Sequence, residues 1–393
     1  MLAEGASHSS PPDPRLPPLW EAGVIGCALL ALSGGLLWWT FAAPGMRAGA
    51  SAAFVGDAAC RDCHPGEWAS HQRSGHSKTL RRAEDAPIAR SLDNVEVADP
   101  EVPGATWKFV FRGGRLATER RTDSATERFV IDYALGSGRH ATTFVTLTDR
   151  TSEHLSMIEH RLTAFAHLER PDVTPGQSLS GTAAGNTPSG RRYSSWNTRK
   201  CFECHATTLS DRDDQTFDEA TMIPNVTCER CHGSGRDHVR AARAGAPANA
   251  LALRLGPGRA SAEEQLQVCG QCHRLPEMIS GGRAAITPDN PLIVRHQPVG
   301  LMQSACYTKS RGALSCSTCH NPHARASKGE AAYESTCRSC HEGAMKTPCK
   351  TLATTGCVSC HMPRRDVARG MIMTDHWIRV VAPPTAASKP TRK

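Results

Sequence analysis

The sequence predicts a mostly α and irregular fold. Short helices should pack around something other than a side-chain core, with a small antiparallel β-sheet in the first half and one N-terminal transmembrane helix. Three observations predict it. Only 5% of the 393 residues are aromatic, yet 17 are Cys and 18 are His. One five-residue cysteine word recurs along the chain, and an uncharged apolar run lies near its start. The length suffices for two or three domains, but the bulky residues that usually fill large interiors are scarce. Frequent cysteine and a modest net charge of +8 exclude a wholly disordered chain.

Residues 1–18 are rich in Pro and Ser without hydrophobic period, the pattern of a disordered tail. Residues 19–45 form the expected transmembrane anchor. Ala22 to Ala43 carry no charge and span 22 positions, enough to cross a bilayer, with Trp38 and Trp39 where an interfacial aromatic belt would lie. A cleaved signal peptide is the alternative, since small residues follow at Ala48, Ala50 and Ala52. The run is longer than an ordinary signal-peptide apolar region and is preceded by one basic residue, Arg15. Arg15 and Arg47 flank it evenly and so do not fix orientation. Cys27 falls inside the run as a membrane-buried thiol.

The word is C-x-x-C-H. It occurs at Cys60/Cys63/His64, Cys201/Cys204/His205, Cys228/Cys231/His232, Cys269/Cys272/His273, Cys316/Cys319/His320, Cys337/Cys340/His341 and Cys357/Cys360/His361. Two cysteines three apart can form thioethers to the two vinyl groups of one haem, and the following imidazole then meets the iron. Zinc sites need no His fixed after every second Cys and consume such pairs two at a time, whereas seven is odd. A thioredoxin-like redox pair would occur once, and Cys at i and i+3 close only short loops as disulfides. The words therefore predict seven covalent haem c groups. Ferric haem with ionised propionates carries a net negative charge, so the excess of Lys and Arg is accounted for as propionate counterions. Nucleic-acid binding then has no support.

Residues 46–200 hold the first word, a small β-rich region and a long loop. Pro65 to Ala83 reads as a helix carrying His71 and His76. Trp107 to Phe111 and Leu116 to Arg121 flank a Gly113-Gly114 turn, as in a hairpin. Arg128 to Tyr133 and Thr142 to Leu147 add two alternating runs, and residues 171–195 read as a surface loop. Residues 201–380 form a six-haem region of short helices, one of them capped by Ser261 and Glu264. Residues 381–393 read as a disordered tail.

The contexts "FVGDAACRDCHPGEW…SGHS", "TCERCHGSGRDH", "SACYTKSRGALSCSTCHNPH" and "CVSCHMPRRD…MTDHWIR" resemble the multihaem c-type cytochromes related to the nitrifier tetrahaem cytochrome and to octahaem hydroxylamine oxidoreductases. The resemblance spans roughly residues 54–380. It implies electron carriers with two histidines on most irons, and, for some members, enzymes with one open iron. It also implies that His76, His238, His323 and His376 are distal ligands, with His140 and His296 as further candidates. His323 follows His320 too closely to reach the far face of the same haem, so it should serve a neighbouring one. A seventh distal ligand would come from His154, His160, His167 or a Met.

These readings predict a membrane-anchored carrier of electrons in the periplasm of a bacterium, on the outer side of the cytoplasmic membrane. Its expected partners are a quinol-oxidising complex or other cytochromes. The alternative is an oxidoreductase of a small nitrogen or sulfur compound with one open iron. No word ends in Lys and no tyrosine follows Tyr333, which goes against the ligand variant of nitrite reductases and the tyrosine cross-link of hydroxylamine oxidoreductases. Outside the words, Cys306 and Cys349 could bridge in an oxidising compartment, or Cys306 could ligate iron as a thiolate. The resemblance implies the bridge.

Overall fold

The computed structural model describes residues 54–150, 155–179, 186–211, 216–251, 253–256, 260–327, 329–342 and 355–381. All belong to one compact unit, Gly49–Lys393. The expected anchor, the N-terminal tail, the C-terminal tail beyond Val381, Cys27, His154 and Cys349 lie outside the described residues. Among the described residues no helix is long and apolar enough to cross a membrane.

The β region is larger than the expected small sheet. A four-stranded antiparallel meander runs through Glu96–Ala98, Thr106–Arg112, Arg115–Arg121 and Thr126–Val130. Its central hairpin turns at Gly113 and Gly114, both with positive φ (59° and 73°), as a two-residue turn that follows the strand twist requires. A seven-stranded antiparallel sheet orders Leu80–Arg82, Tyr133–Leu135, Ala141–Arg150, Leu155–Phe165, Gly190–Tyr193 and Asn186–Thr187, with Asp172–Val173 also on Leu155–Phe165. The expected strand Arg128 to Tyr133 is split between the two. The Ile131 N–H goes to Leu116 in the meander, while the next N–H, of Asp132, goes to Val145 in the larger sheet.

Two further expectations are corrected. The helix over Pro65 to Ala83 ends at His71; His76 sits on a 3₁₀ turn, and Leu80–Arg82 leaves as a strand because it pairs with Tyr133–Leu135. The described parts of residues 171–195 contribute three short strands rather than a plain loop. The longest strand, Leu155–Phe165, was not foreseen. It is buried on both faces, and such a strand shows no alternation of polar and apolar residues. The helix Ala262–His273 starts as expected, with the reciprocal Ser261–Glu264 capping box formed.

Packing differs between the halves. Trp107, Phe109, Leu116, Phe144 and Leu162 fill the space between the sheets, and Phe202, inside the second word, is fully buried against Tyr133 and Phe217. That contact fastens the second word to the sheet. Among the described residues, the segment bearing the other late words shows a small apolar cluster of Val294, Val367 and Met371.

Candidate haem sites

Each word folds around one helical turn. The His64 N–H closes on the Cys60 carbonyl at 2.8 Å and the His320 N–H on the Cys316 carbonyl at 2.9 Å. Residues three and four apart share a helix face, so both thiols and the imidazole of a word point the same way. All fourteen word cysteines and all seven word histidines line one continuous cavity of about 3800 Å³, far above the roughly 300–1,000 Å³ of an ordinary ligand pocket. Among the described residues no three metal-binding side chains gather as a structural zinc site needs.

The words neighbour one another in an order that is not their order in the chain. The thiol of Cys60 lies beside that of Cys228, joining words one and three. Cys204 meets Cys272, joining words two and four, and Cys269 meets Cys316, joining four and five. Cys231 feels Cys269 and Cys272 electrostatically, while Cys337 feels Cys319 and Cys357. The spatial order is therefore one, three, four, five, six, seven, with word two beside word four.

Opposite four word histidines stands a second imidazole. Ring centroids are 6.3 Å apart for His64 and His238, 6.3 Å for His273 and His76, 5.8 Å for His232 and His323, and 6.1 Å for His320 and His376. Two imidazole nitrogens each about 2 Å from one metal ion require centroids about 6 Å apart. Burial lowers the pKa of His76, His232, His320 and His376, the last to about 4, so these rings are neutral near pH 7, the state a metal ligand must have.

Tautomers follow the same logic. The Nδ1 atoms of His205, His238, His361 and His376 lie 2.7–3.0 Å from the backbone carbonyls of Thr79, Leu251, Arg379 and Thr374, and that of His273 lies 3.0 Å from Gln297 Oε1. An N–H donated there leaves Nε2 with its lone pair outward, the arrangement that orients metal-binding histidines. The cavity, the paired thiols and these rings fit haem.

The remaining candidates separate. His140 and His296 line the cavity, and burial, helped by Arg274 and Arg295, lowers His296 to about 4. His160 does not line it. Its Nδ1 and Nε2 meet the hydroxyls of Thr118 and Thr146 at 3.2 and 2.8 Å inside the sheets, so both nitrogens are committed and it is a core residue. His167 commits Nε2 to the Arg369 carbonyl at 3.0 Å. His71 was not singled out from the sequence, yet it is buried on the cavity wall with Nδ1 unpaired among the described residues. Two carboxylates were also missed: Glu229 and Glu334 anchor neighbouring words, and nothing in their spacing announces it.

Residues 180–233, which hold words two and three, match the family model "cytochrome c554 and c-prime". No curated protein matches the chain. Among solved structures, the outer cell wall cytochrome OcwA is similar at 16% identity and a TM-score of 0.43, over 84% of this chain and 80% of that one; so loose a likeness carries no argument. The repeated word and the family match together support a multihaem c-type cytochrome.

Proposed function

We propose that this protein is a membrane-anchored heptahaem c-type cytochrome that carries electrons, with its haem region on the periplasmic side of a bacterial cytoplasmic membrane. The observation that carries the reading is the set of four facing imidazole pairs, each joining a word histidine to a histidine from elsewhere in the chain. Bound haem supplies one-electron chemistry at iron. The word cysteines hold it. His64, His205, His232, His273, His320, His341 and His361 are the proximal ligands. His76, His238, His323 and His376 are distal ligands, and His140 and His296 serve in the same role elsewhere. An iron held between two histidines would have no position for substrate, and these residues would then hold and orient the group for electron transfer alone. The partners are redox proteins, a quinol-oxidising complex or other cytochromes; the Cys306 thiol is free among the described residues.

Intact mass of the full chain tests the count, with seven added haems expected and fewer refuting it. An N-terminus beginning near Ala50 would refute the anchor. Facing imidazole pairs are seen for His64, His232, His273 and His320, four of the seven word histidines, so the second reading is an oxidoreductase with one open iron. Electron paramagnetic resonance of the oxidised protein separates the two. Only low-spin signals support the carrier; a stoichiometric high-spin haem that binds nitrite or hydroxylamine supports the enzyme.

A further inference from the structure

Glu159 lies on the long strand Leu155–Phe165, on the cavity wall near the second word. Its two side-chain partners are neutral. Gln177 Nε2 donates at 2.8 Å and Tyr193 Oη at 3.2 Å, both to Oε2. Oε1 takes no hydrogen bond among the described residues, so it can hold a proton without breaking either. Arg191 stands opposite Glu159 in the strand register, and with Arg295 it acts only at longer range. Arg161, on the same strand, is committed to Asp99 and Glu101. Tyr193, which donates to Glu159, and Cys201 pack on the same apolar cluster, and Glu159 and Cys201 line the same cavity, close enough for the charge of Glu159 to act on the Cys201 side chain.

We propose that Glu159 takes up one proton when the second word takes up one electron, making this branch of the cytochrome a proton-coupled redox site. The inference rests on haem being held by Cys201, Cys204 and His205. The electron comes from the one-electron donor that feeds the chain and the proton from solvent water. An O–H bond of a solvent hydronium breaks and an O–H bond on Glu159 forms, so the local charge is unchanged. The direction follows from electrostatics: burial already raises the carboxyl above its ordinary range, and a negative charge added nearby raises it further. The reduced form thus binds more protons, so electron uptake at this site becomes harder as pH rises.

Reduced-minus-oxidised infrared difference spectra of the full-length holoprotein test this. A protonated carboxyl band should appear on reduction, shift in D₂O and vanish in Glu159→Gln. Potentiometric titration from pH 5 to 9 should show one component whose midpoint falls with pH in the native protein and is flat in that variant. Tyr193→Phe removes a hydrogen bond that favours the carboxylate, so it should move the bend of that component to higher pH; this decides the matter if Glu159→Gln does not accumulate. A band or pH-dependent component that survives Glu159→Gln, or a bend unmoved in Tyr193→Phe, overturns the proposal. Failure of the haem reading is a separate result: a peptide spanning 201–205 without haem mass.

Discussion

Glu334 Oε1, on the helix that carries the sixth word, accepts the backbone N–H of Cys357, the first residue of the seventh, at 3.1 Å, and that of Gly356 at 2.6 Å. The arrangement recurs at the other end of the chain. Glu229, inside the third word, accepts the N–H of Gly56 at 2.8 Å and that of Val55, just ahead of the first word, and also the N–H of Gly235 at 2.7 Å. Both side chains are buried. Where ordinary core is thin, charge-assisted bonds from one word to the backbone of another set their spacing.

Glu334→Ala and Glu229→Ala should each destabilise the holoprotein by about 3 kcal/mol, because buried N–H groups lose a charged acceptor. Glutamine at either position should recover part of the loss, since its carbonyl oxygen still accepts. Thermal midpoints of purified holoproteins check this. Alanine variants that melt with the native protein would show that the words hold their spacing without these carboxylates.

The four facing imidazoles give a spectroscopic prediction. His76→Ala, His238→Ala, His323→Ala and His376→Ala should each convert one low-spin haem to high spin. His160→Leu should not, because both of its nitrogens are used inside the sheets; it should lower the melting temperature instead. Electron paramagnetic resonance on the five variants reads both outcomes, and a high-spin signal from the His160 variant would contradict its assignment as a core residue.

These sites were unequally legible in the sequence. The words were plain because covalent attachment demands fixed residues at fixed spacing. His76, His238, His323 and His376 were reached by resemblance, and the structure brings each opposite a word histidine. The order of the words in space was hidden, since it depends on pairs such as Cys60 with Cys228 that lie far apart in the chain. His160 could not be told from a ligand, because its hydroxyl partners come from two other strands. The strand Leu155–Phe165 escaped notice because burial on both faces erases its period.

A buried ion network predicts acid sensitivity in the sheets. Arg161, fully buried, pairs with Asp99 and with Glu101 at 3.1 Å, and Arg369 reaches Glu101 at 3.1 Å and Asp172 at 3.2 Å. The backbone N–H of Leu179 and the Arg161 guanidinium hold Glu101 down to about 2 from its ordinary 4.5. A depressed carboxyl contributes stability that is present above its unfolded value and lost as pH falls through its folded value. Stability should therefore decline between about pH 4.5 and pH 2, and Glu101→Gln should flatten that decline while lowering stability at pH 7. Arg161→Met should cost more, about 3–5 kcal/mol, by leaving Asp99 buried without a counterion. Denaturation followed at several pH values checks both, and an unchanged acid limb in Glu101→Gln would refute the first.

The backbone that carries His376 rests on a glycine. A Cβ at Gly300, on the helix Gln297–Met302, would come within 2.8 Å of the Trp377 nitrogen and 3.0 Å of the His376 carbonyl carbon. Both contacts are with backbone, which cannot swing aside as a side chain can. From the next turn, Ser304 Oγ donates to the His376 carbonyl at 3.2 Å and accepts the Ile378 N–H at 2.8 Å, so the segment is held close as well as allowed close. Gly300→Ala should push this segment outward and carry the His376 ring away from His320, now 6.1 Å off. The predicted signature is a high-spin signal from one haem, smaller than that of His376→Ala, together with a lower melting temperature. Ser304→Ala should loosen the segment without pushing it and leave the haem mostly low-spin. If Gly300→Ala melts earlier but stays wholly low-spin, the glycine serves packing alone and does not position the ligand.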